Sequence, residues 1–256
     1  MSLKLFMQRM LAAGLWLAVA TNGMGQTTPS RIFSARAQTA FELAQKNFLA
    51  DTNSTNAASQ LARASFELAD LATNETQRAA IARRGIEVCH AWVAREPKSG
   101  PGHYYLAMNL GELAQAEAPS IAAYKLVHEV EREFKLAAEL DVRFDYAGPA
   151  RTLGELYFQA PGWPLSVGSK HKAREWFERA VALAPEYPDN QLNLAEAQLK
   201  WHQPEALAVT MKNLAANWPA ARTNFTGEVW ELSWQDWNVR YAALQAEVKK
   251  FYGAKP

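Results

Sequence analysis

The sequence predicts an all-α fold built as an α-solenoid, in which antiparallel helix pairs stack one after another. From residue 35 onward, segments rich in Ala, Leu, Glu, Gln, Lys and Arg show helical periodicity, and short breaks at Pro, Gly, Asn and Asp separate them. No segment shows the alternating or β-branched pattern of a strand. Some residue spacings also recur along the chain, which indicates internal repeats.

Ten helices follow from this pattern, each ending where the apolar periodicity breaks. The first five are predicted over residues 35–50, 57–72, 76–95, 101–116 and 121–140. The other five are predicted over residues 147–159, 170–184, 189–201, 204–217 and 228–252. Ser169 is a suitable N-cap for the helix that begins at Lys170.

The spacing of proline and small residues identifies the type of repeat. Pro97 and Pro185 each precede a Leu-Ala pair by nine residues, at 106–107 and 194–195. Tetratricopeptide repeats have this offset, because the small residue lets the first helix of a pair approach the second. The expected pattern of a second helix is carried by Ala173, Phe177, Ala180 and Pro185. The predicted fold class is therefore a tetratricopeptide-like α-solenoid.

Two inter-helix segments are predicted to be longer than in a standard repeat. Gly154 and Ala173 lie 19 residues apart, roughly seven more than the repeat needs. The additional residues are the loop 160–164, with the sequence APGWP. A second insertion of roughly eleven residues is predicted around 116–124. Insertions at one position of a solenoid project from one face, which predicts a binding surface.

The last predicted helix carries one continuous apolar stripe at intervals of three or four residues. Its members are Trp230, Trp234, Trp237, Tyr241, Leu244, Val248 and Phe251. Such a stripe is typical of a helix that covers the exposed end of a repeat array. An alternative is an aromatic helix that docks a partner.

The first 25 residues have the form of a signal peptide. Lys4 and Arg9 precede the apolar run 10–20, and cleavage is expected after Ala20 or Gly25. The run is too short to span a bilayer as a helix, although an uncleaved anchor is an alternative. We therefore expect a periplasmic or secreted protein, with a single all-α repeat domain over residues 26–256. No lipobox cysteine follows the signal, so lipid anchoring is not expected.

Composition and motifs argue against several function classes. The chain has 27 basic and 26 acidic residues, which is not the electrostatic signature of a nucleic-acid-binding protein. Cys89 has no partner for a disulfide and is predicted to be a buried core residue. The five histidines lack the spacing of a metal site, and the acidic residues 129, 131 and 133 are predicted to face solvent. No nucleophile or nucleotide motif is present, so we predict no enzyme, no catalytic residues and no cofactor.

The loop at 160–164 is the predicted functional site. Trp163 lies between helices, where a buried helical stripe does not explain a tryptophan. It is interpreted either as a plug that packs on Tyr157 and Phe158, or as an apolar wall of a ligand pocket or pore. The residues predicted to bind a ligand or partner are Tyr146, Arg151, Tyr157, Pro161, Gly162, Trp163 and Pro164. Arg151 is the predicted anchor for an anion.

The region around this loop resembles the T component (TatT) of tripartite ATP-independent periplasmic (TRAP) transporters. The resemblance is carried by GPARTLGELY at 148–157, by APGWPLSVG at 160–168 and by the Pro-x-x-Pro-x-Asn motif at 185–190. It implies a periplasmic helical repeat protein that associates with the solute-binding protein of the transporter. It also implies a cavity for a hydrophobic small molecule and the ability to form homo-oligomers. This chain differs from the characterised lipoproteins in having no lipidation cysteine.

The expected function is that of a non-enzymatic periplasmic protein that binds a protein partner and a small hydrophobic ligand, and that assists TRAP-type solute transport. The alternative is a general tetratricopeptide scaffold for protein–protein interaction in the cell envelope. An uncharacterised enzyme is the third hypothesis, and it requires buried ionisable residues in a cleft.

Overall fold

The computed structural model describes residues 28–253 of the chain, and the side chains of residues 32–250. The elements in that range are α1 Thr28–Ala50, α2 Thr55–Asp70, α3 Glu75–Arg95, α4 Gly100–Ala116, α5 Ile121–Asp141, α6 Phe144–Gln159, α7 Lys170–Leu183, α8 Pro188–Lys200, α9 Pro204–Asn224, a 3₁₀ turn Glu228–Trp230, and α10 Glu231–Gly253. The all-α prediction is confirmed. The predicted signal peptide and its cleavage sites lie outside the described residues.

Side chains just ahead of the helices determine where many of them begin. Five helices start at a capping residue whose side chain accepts a hydrogen bond from the backbone N–H three residues later: Ser54, Asn74, Ser99, Ser120 and Ser169. Helices α8 and α9 instead begin with Pro188 and Pro204, since the first helical residue needs no N–H. The prediction of Ser169 as an N-cap is confirmed.

The prediction of a long insertion around residues 116–124 is wrong. Helix α4 ends at Ala116 and α5 begins at Ile121, so only a short turn separates them. The additional residues lengthen the two helices to 17 and 21 residues. A longer helix keeps its backbone groups hydrogen-bonded, which an irregular loop does not do by itself. The insertion between α6 and α7 is present, as predicted.

The described residues group into two compact units, where the sequence predicted one repeat domain over residues 26–256. The first unit contains α1–α5 and the loop 159–168, and the second contains residues 143–158 and 169–253. In the first unit, α2 contacts α3, which is its partner in a helix pair, and α4, which is the first helix of the next pair. In the second unit, α8 contacts α7, α9 and α10. Contact between successive first helices is what stacks helix pairs into a solenoid.

The core of the first unit contains two residues about which the sequence made predictions. Cys89 is fully buried, as predicted, and burial together with the charge of Glu133 raises the pKa of its thiol. Glu133 itself does not face solvent, so that part of the prediction is wrong. Its carboxylate lies 2.6 Å from Nδ1 of His103 and also accepts hydrogen bonds from Arg132. Buried charges are tolerated when they are paired in this way.

The second unit is closed by its last helix. Trp237 and Leu244, which lie in the predicted apolar stripe, are buried, and α10 contacts both α8 and α9. At the other end of the unit, a Cβ atom on Gly154 would lie 2.4 Å from the ring of Phe177, so α6 and α7 approach more closely there than alanine allows. This is the small-residue contact that the repeat spacing predicted. Among residues 28–253, no helix has the length and hydropathy needed to cross a membrane.

Candidate functional site

The second unit begins with three consecutive residues in the left-handed region of backbone space. Asp145, Tyr146 and Ala147 have φ angles of 50°, 54° and 63°, and none of them is glycine. Each residue in this conformation is unfavourable by about 1–2 kcal/mol. Such a turn persists only where surrounding contacts hold it, and strained backbone of this kind clusters at functional sites.

Arg151 and Asn190 supply those contacts. Nη1 of Arg151 donates to the carbonyl oxygens of Asp145 and Tyr146 at 3.2 and 3.1 Å, and Nη2 donates to the carboxylate of Asp145 at 2.9 Å. Asn190 donates to the carbonyl oxygen of Tyr146 at 3.1 Å. Arg151 is buried beneath the turn, with its guanidinium 4.8 Å from the ring centre of Tyr187. These contacts assign Arg151 to the turn, and its role as an anion anchor stays a prediction.

Tyr146 connects the turn to an aromatic cluster. Its ring stacks on Tyr187 with centroids 4.9 Å apart, and it meets Phe225 and Trp230 edge to face. About two fifths of Tyr146 remains exposed. The structure therefore brings two predicted site residues, Tyr146 and Arg151, together at one turn.

Three helices of the second unit direct polar side chains toward one another. On an α-helix, residues four apart lie on the same face. The polar residues that point toward one another are Arg151 and Glu155 on α6, Asp189, Asn193 and Glu196 on α8, and Asp236 and Arg240 on α10. We call this set the inner face of the second unit. Gly154 faces α7. Glu155 is the next residue, so its side chain points about 100° around α6 from that contact.

Arg240 is the centre of the inner face. Its Nη1 lies 2.5 Å from the carboxylate of Asp189 and 2.9 Å from that of Asp236, and its Nε lies 3.0 Å from Glu196. Its Nη2 donates to the side-chain oxygen of Asn193, whose amide nitrogen in turn donates to Oε1 of Glu155. Hydrogen bonds thus run from Asp236, whose side chain is 44% exposed, to the buried carboxyl of Glu155.

The two buried carboxyl groups of the inner face, Asp189 and Glu155, have pKa values that are shifted in opposite directions. Burial opposes ionisation of Asp189, but Arg240 and Arg151 outweigh it and hold the pKa of this carboxyl below its ordinary value. Burial raises the pKa of Glu155 to about 7, and the charge of Asp189 adds to the rise, while the two arginines and the Asn193 hydrogen bond oppose it. Oε2 of Glu155 has no hydrogen-bond partner among the described residues. A buried polar atom in this state needs an explanation.

The predicted loop lies outside this network and has its own structure. Residues 159–168 form a closed loop in which the N–H of Gly168 donates to the carbonyl oxygen of Pro161 at 2.9 Å. A side chain at Gly168 would place a Cβ 2.0 Å from the carbonyl oxygen of Ala160, so this closure needs glycine. Gly162 and Pro164 are exposed and Pro161 is half-buried.

Trp163 is 89% exposed, and Leu165 beside it is 68% exposed. The interpretation of Trp163 as a plug packed on Tyr157 and Phe158 is therefore wrong. So exposed a ring is suited to contact with a partner and does not wall an enclosed cavity. Tyr157 is buried, and the ammonium group of Lys172 lies 4.9 Å from its ring centre. The binding roles assigned to these residues stay predictions.

Most of the inner face was not predicted from the sequence. Arg151 was a predicted site residue, but the others were not: Glu155, Asp189, Asn193, Glu196, Asp236 and Arg240. The signal that identifies them is their spacing, since polar residues at intervals of three or four recur on successive first helices. Among residues 28–253, no group of acidic, histidine or cysteine side chains is arranged to hold a metal ion.

Comparison with known proteins supports the same architecture. The family model "Regulator of microtubule dynamics protein 1-3" matches residues 30–147, a little under half of the chain. A thermophilic TPR protein of Thermus thermophilus is similar in structure, with a TM-score of 0.61, 19% identity, and coverage of 85% of this chain and 97% of that chain. The structure of MamA is similar at a TM-score of 0.51 with 14% identity, over 79% of this chain and 99% of that one.

This chain has a tetratricopeptide-like helical repeat fold. A comparison with curated proteins gives no match. The family match covers almost only residues of the first unit, whereas the inner face belongs to the second.

Proposed function

We propose that the chain is a non-enzymatic scaffold that binds a protein partner at the edge of the inner face of its second unit, where Asp236 is exposed. One observation carries the proposal: three successive first helices contribute side chains to the buried network that holds this edge in place. Repeat proteins of this architecture use the surface formed by successive repeats to bind extended partners. The exposed carboxyl of Asp236 provides an accessible end of the network.

Site-specific photocrosslinking in the native host tests this proposal. One variant carries a photoreactive residue in place of Asp236 on α10, and a matched control carries it in place of Glu178, an exposed residue of α7. We expect a discrete crosslinked protein from position 236 and none from position 178. Equal crosslinking from both positions, or none from position 236, would contradict the proposal.

The exposed loop favours a second, finer function. In this proposal the protein is exported and assists TRAP-type transport by contacting a solute-binding protein, with Trp163 as the contact residue and a hydrophobic small molecule as its ligand. Support comes from the form of the N-terminal sequence, from the resemblance at 148–168, and from the exposure of Trp163. Single exposed apolar residues are common on protein surfaces, so the loop alone is the weaker argument.

Two measurements test the finer proposal. N-terminal sequencing of the protein from its host should begin after Ala20 or Gly25, and an intact N-terminus would remove the argument for export. Calorimetry with a co-expressed solute-binding protein should show weaker binding for Trp163→Ala than for Val239→Ala, a control at another exposed apolar residue. Equal binding by both variants would exclude the loop from the contact.

A further inference from the structure

Three cations of the second unit lie around one pair of aromatic rings. The ammonium group of Lys170 and the guanidinium of Arg174 lie 5.5 and 5.3 Å from the ring centre of Trp201. The ammonium group of Lys200 lies 4.7 Å from the ring centre of Phe158. The two rings meet edge to face with their centroids 5.7 Å apart, so the three charges occupy one small area. We call these five residues the cation cluster.

The order of the helices brings the cation cluster together. Phe158 lies near the end of α6 and Lys170 is the first residue of α7, and the antiparallel pair places these two positions at the same end. Lys200 is the last residue of α8, and Trp201 follows it directly. The ring of Phe158 also meets the buried ring of Phe177 at 6.0 Å, which fixes the aromatic base of the cluster to the core.

No carboxylate of the described residues forms an ion pair with the cluster. The charged ends of Lys170, Arg174 and Lys200 are oriented by their contacts with the two aromatic rings. Glu178 lies four residues after Arg174, a spacing at which opposite charges can pair on a helix, but the guanidinium lies over Trp201 instead. Lys170 and Lys200 are exposed, so an anion reaches the cluster from solvent without any opening of the fold.

The density of positive charge indicates which anion fits. We propose that the cation cluster binds a phosphomonoester group. This group carries a charge of about −1.5 to −2 near pH 7 and three acceptor oxygens on one phosphorus atom, whereas a carboxylate carries one charge. An arginine fork pairs with two phosphate oxygens, and lysines add compact charges beside it. The site is separate from the inner face and goes beyond the proposed scaffold function.

Both small solutes and lipid headgroups carry phosphomonoester groups, and two experiments on the full chain distinguish them. Calorimetry compares glycerol 3-phosphate with glycerate, which carries a carboxylate in place of the phosphate. Flotation compares phosphatidylcholine vesicles with and without phosphatidic acid. We expect glycerol 3-phosphate to bind about tenfold more tightly than glycerate, which assigns a small solute. Flotation with phosphatidic acid vesicles, without binding of glycerol 3-phosphate, assigns a lipid headgroup and also supports the proposal.

Removal of charge from the cluster should weaken whichever interaction is observed. Arg174→Gln and Lys200→Gln should each weaken it about fivefold, and the double variant more than either. Arg174→Lys should weaken it less than Arg174→Gln, because the charge stays and only the fork is lost. Arg179→Gln is the matched control. Its guanidinium also lies over a tryptophan, 4.9 Å from the ring centre of Trp176, but it is roughly 140° around α7 from Arg174.

The control variant should bind like the unmodified chain. Equal binding of glycerate and glycerol 3-phosphate, an equal loss from Arg179→Gln and Arg174→Gln, or no binding in either experiment would each overturn the inference. These results leave the scaffold function intact, because crosslinking from position 236 reports a protein partner and does not involve the cation cluster.

Discussion

Glu155→Gln should change how the free energy of unfolding depends on pH, whereas the same substitution at an exposed glutamate should not. The pKa of Glu155 is raised from its ordinary value of 4.5 to about 7 in the folded chain, and burial is the largest cause. Below pH 4.5 the carboxyl is protonated in both the folded and the unfolded chain. As pH rises toward 7, the unfolded chain releases the proton while the folded chain retains it, so the free energy of unfolding falls.

The size of the effect follows from the shift. One pH unit corresponds to about 1.4 kcal/mol, so ionisation of Glu155 should lower the free energy of unfolding by roughly 2–3 kcal/mol between pH 5 and pH 8. Glutamine does not titrate. We therefore expect the stability of Glu155→Gln relative to the unmodified chain to rise by that amount over the same range.

Urea denaturation followed by circular dichroism at pH 5 and pH 8 measures this difference. The comparison between two variants cancels the contribution of every other titrating group that the substitution leaves unchanged. Glu178→Gln, an exposed position, should run parallel to the unmodified chain. If Glu155→Gln also runs parallel to it, then Glu155 is ionised in the fold at pH 5, and the argument from its buried, unpaired oxygen fails.

Three further substitutions have expected effects on the free energy of unfolding, all measurable by urea denaturation. Gly154→Ala should destabilise the chain by about 1–3 kcal/mol, because its Cβ would overlap the ring of Phe177; an unchanged midpoint would show that α6 and α7 are not so close. Arg151→Ala should destabilise it by about 3–5 kcal/mol, since it removes a buried charge from paired carboxylates; a loss below about 1 kcal/mol would contradict its role at the turn. Trp163→Ala should change stability by less than about 0.5 kcal/mol because the ring is exposed; a larger loss would mean that the loop packs on the protein.

The helices were predictable because their determinants are local. Capping residues such as Ser169 and starting prolines such as Pro204 lie within one turn of the boundary they set. Two boundaries differ by seven residues: α1 begins at Thr28 where residue 35 was predicted, and α9 was predicted to end at residue 217 but continues through Pro219 to Asn224, with Ala221 buried. Burial of the helix face beyond the proline outweighs the hydrogen bond that the proline lacks.

The left-handed turn was not predictable from its own residues. Asp145, Tyr146 and Ala147 include no glycine, and the contacts that hold them come from Arg151 and from Asn190, which is 44 residues from Tyr146. A conformation that is locally unfavourable leaves no local signature when distant residues stabilise it.

The inner face is hidden from sequence reasoning for a related reason. Its pairs join residues such as Asp189 and Arg240, which are 51 positions apart. Their spacing along each helix is visible, but which helices face each other depends on the stacking of pairs. The loop is the opposite case, because its proline and glycine residues indicate an irregular segment directly, and the structure shows one there.

Nuclear magnetic resonance of the Asn193 side-chain amide tests the central claim most directly, since this group donates to Glu155 and accepts from Arg240. Raising the pH from 6 to 8 should shift this resonance, because Glu155 ionises over that range, with no comparable shift for the side-chain amide of Gln60 on α2 of the first unit. If the Asn193 resonance stays unchanged over this range, Glu155 does not titrate within the network, and the account of the inner face is wrong.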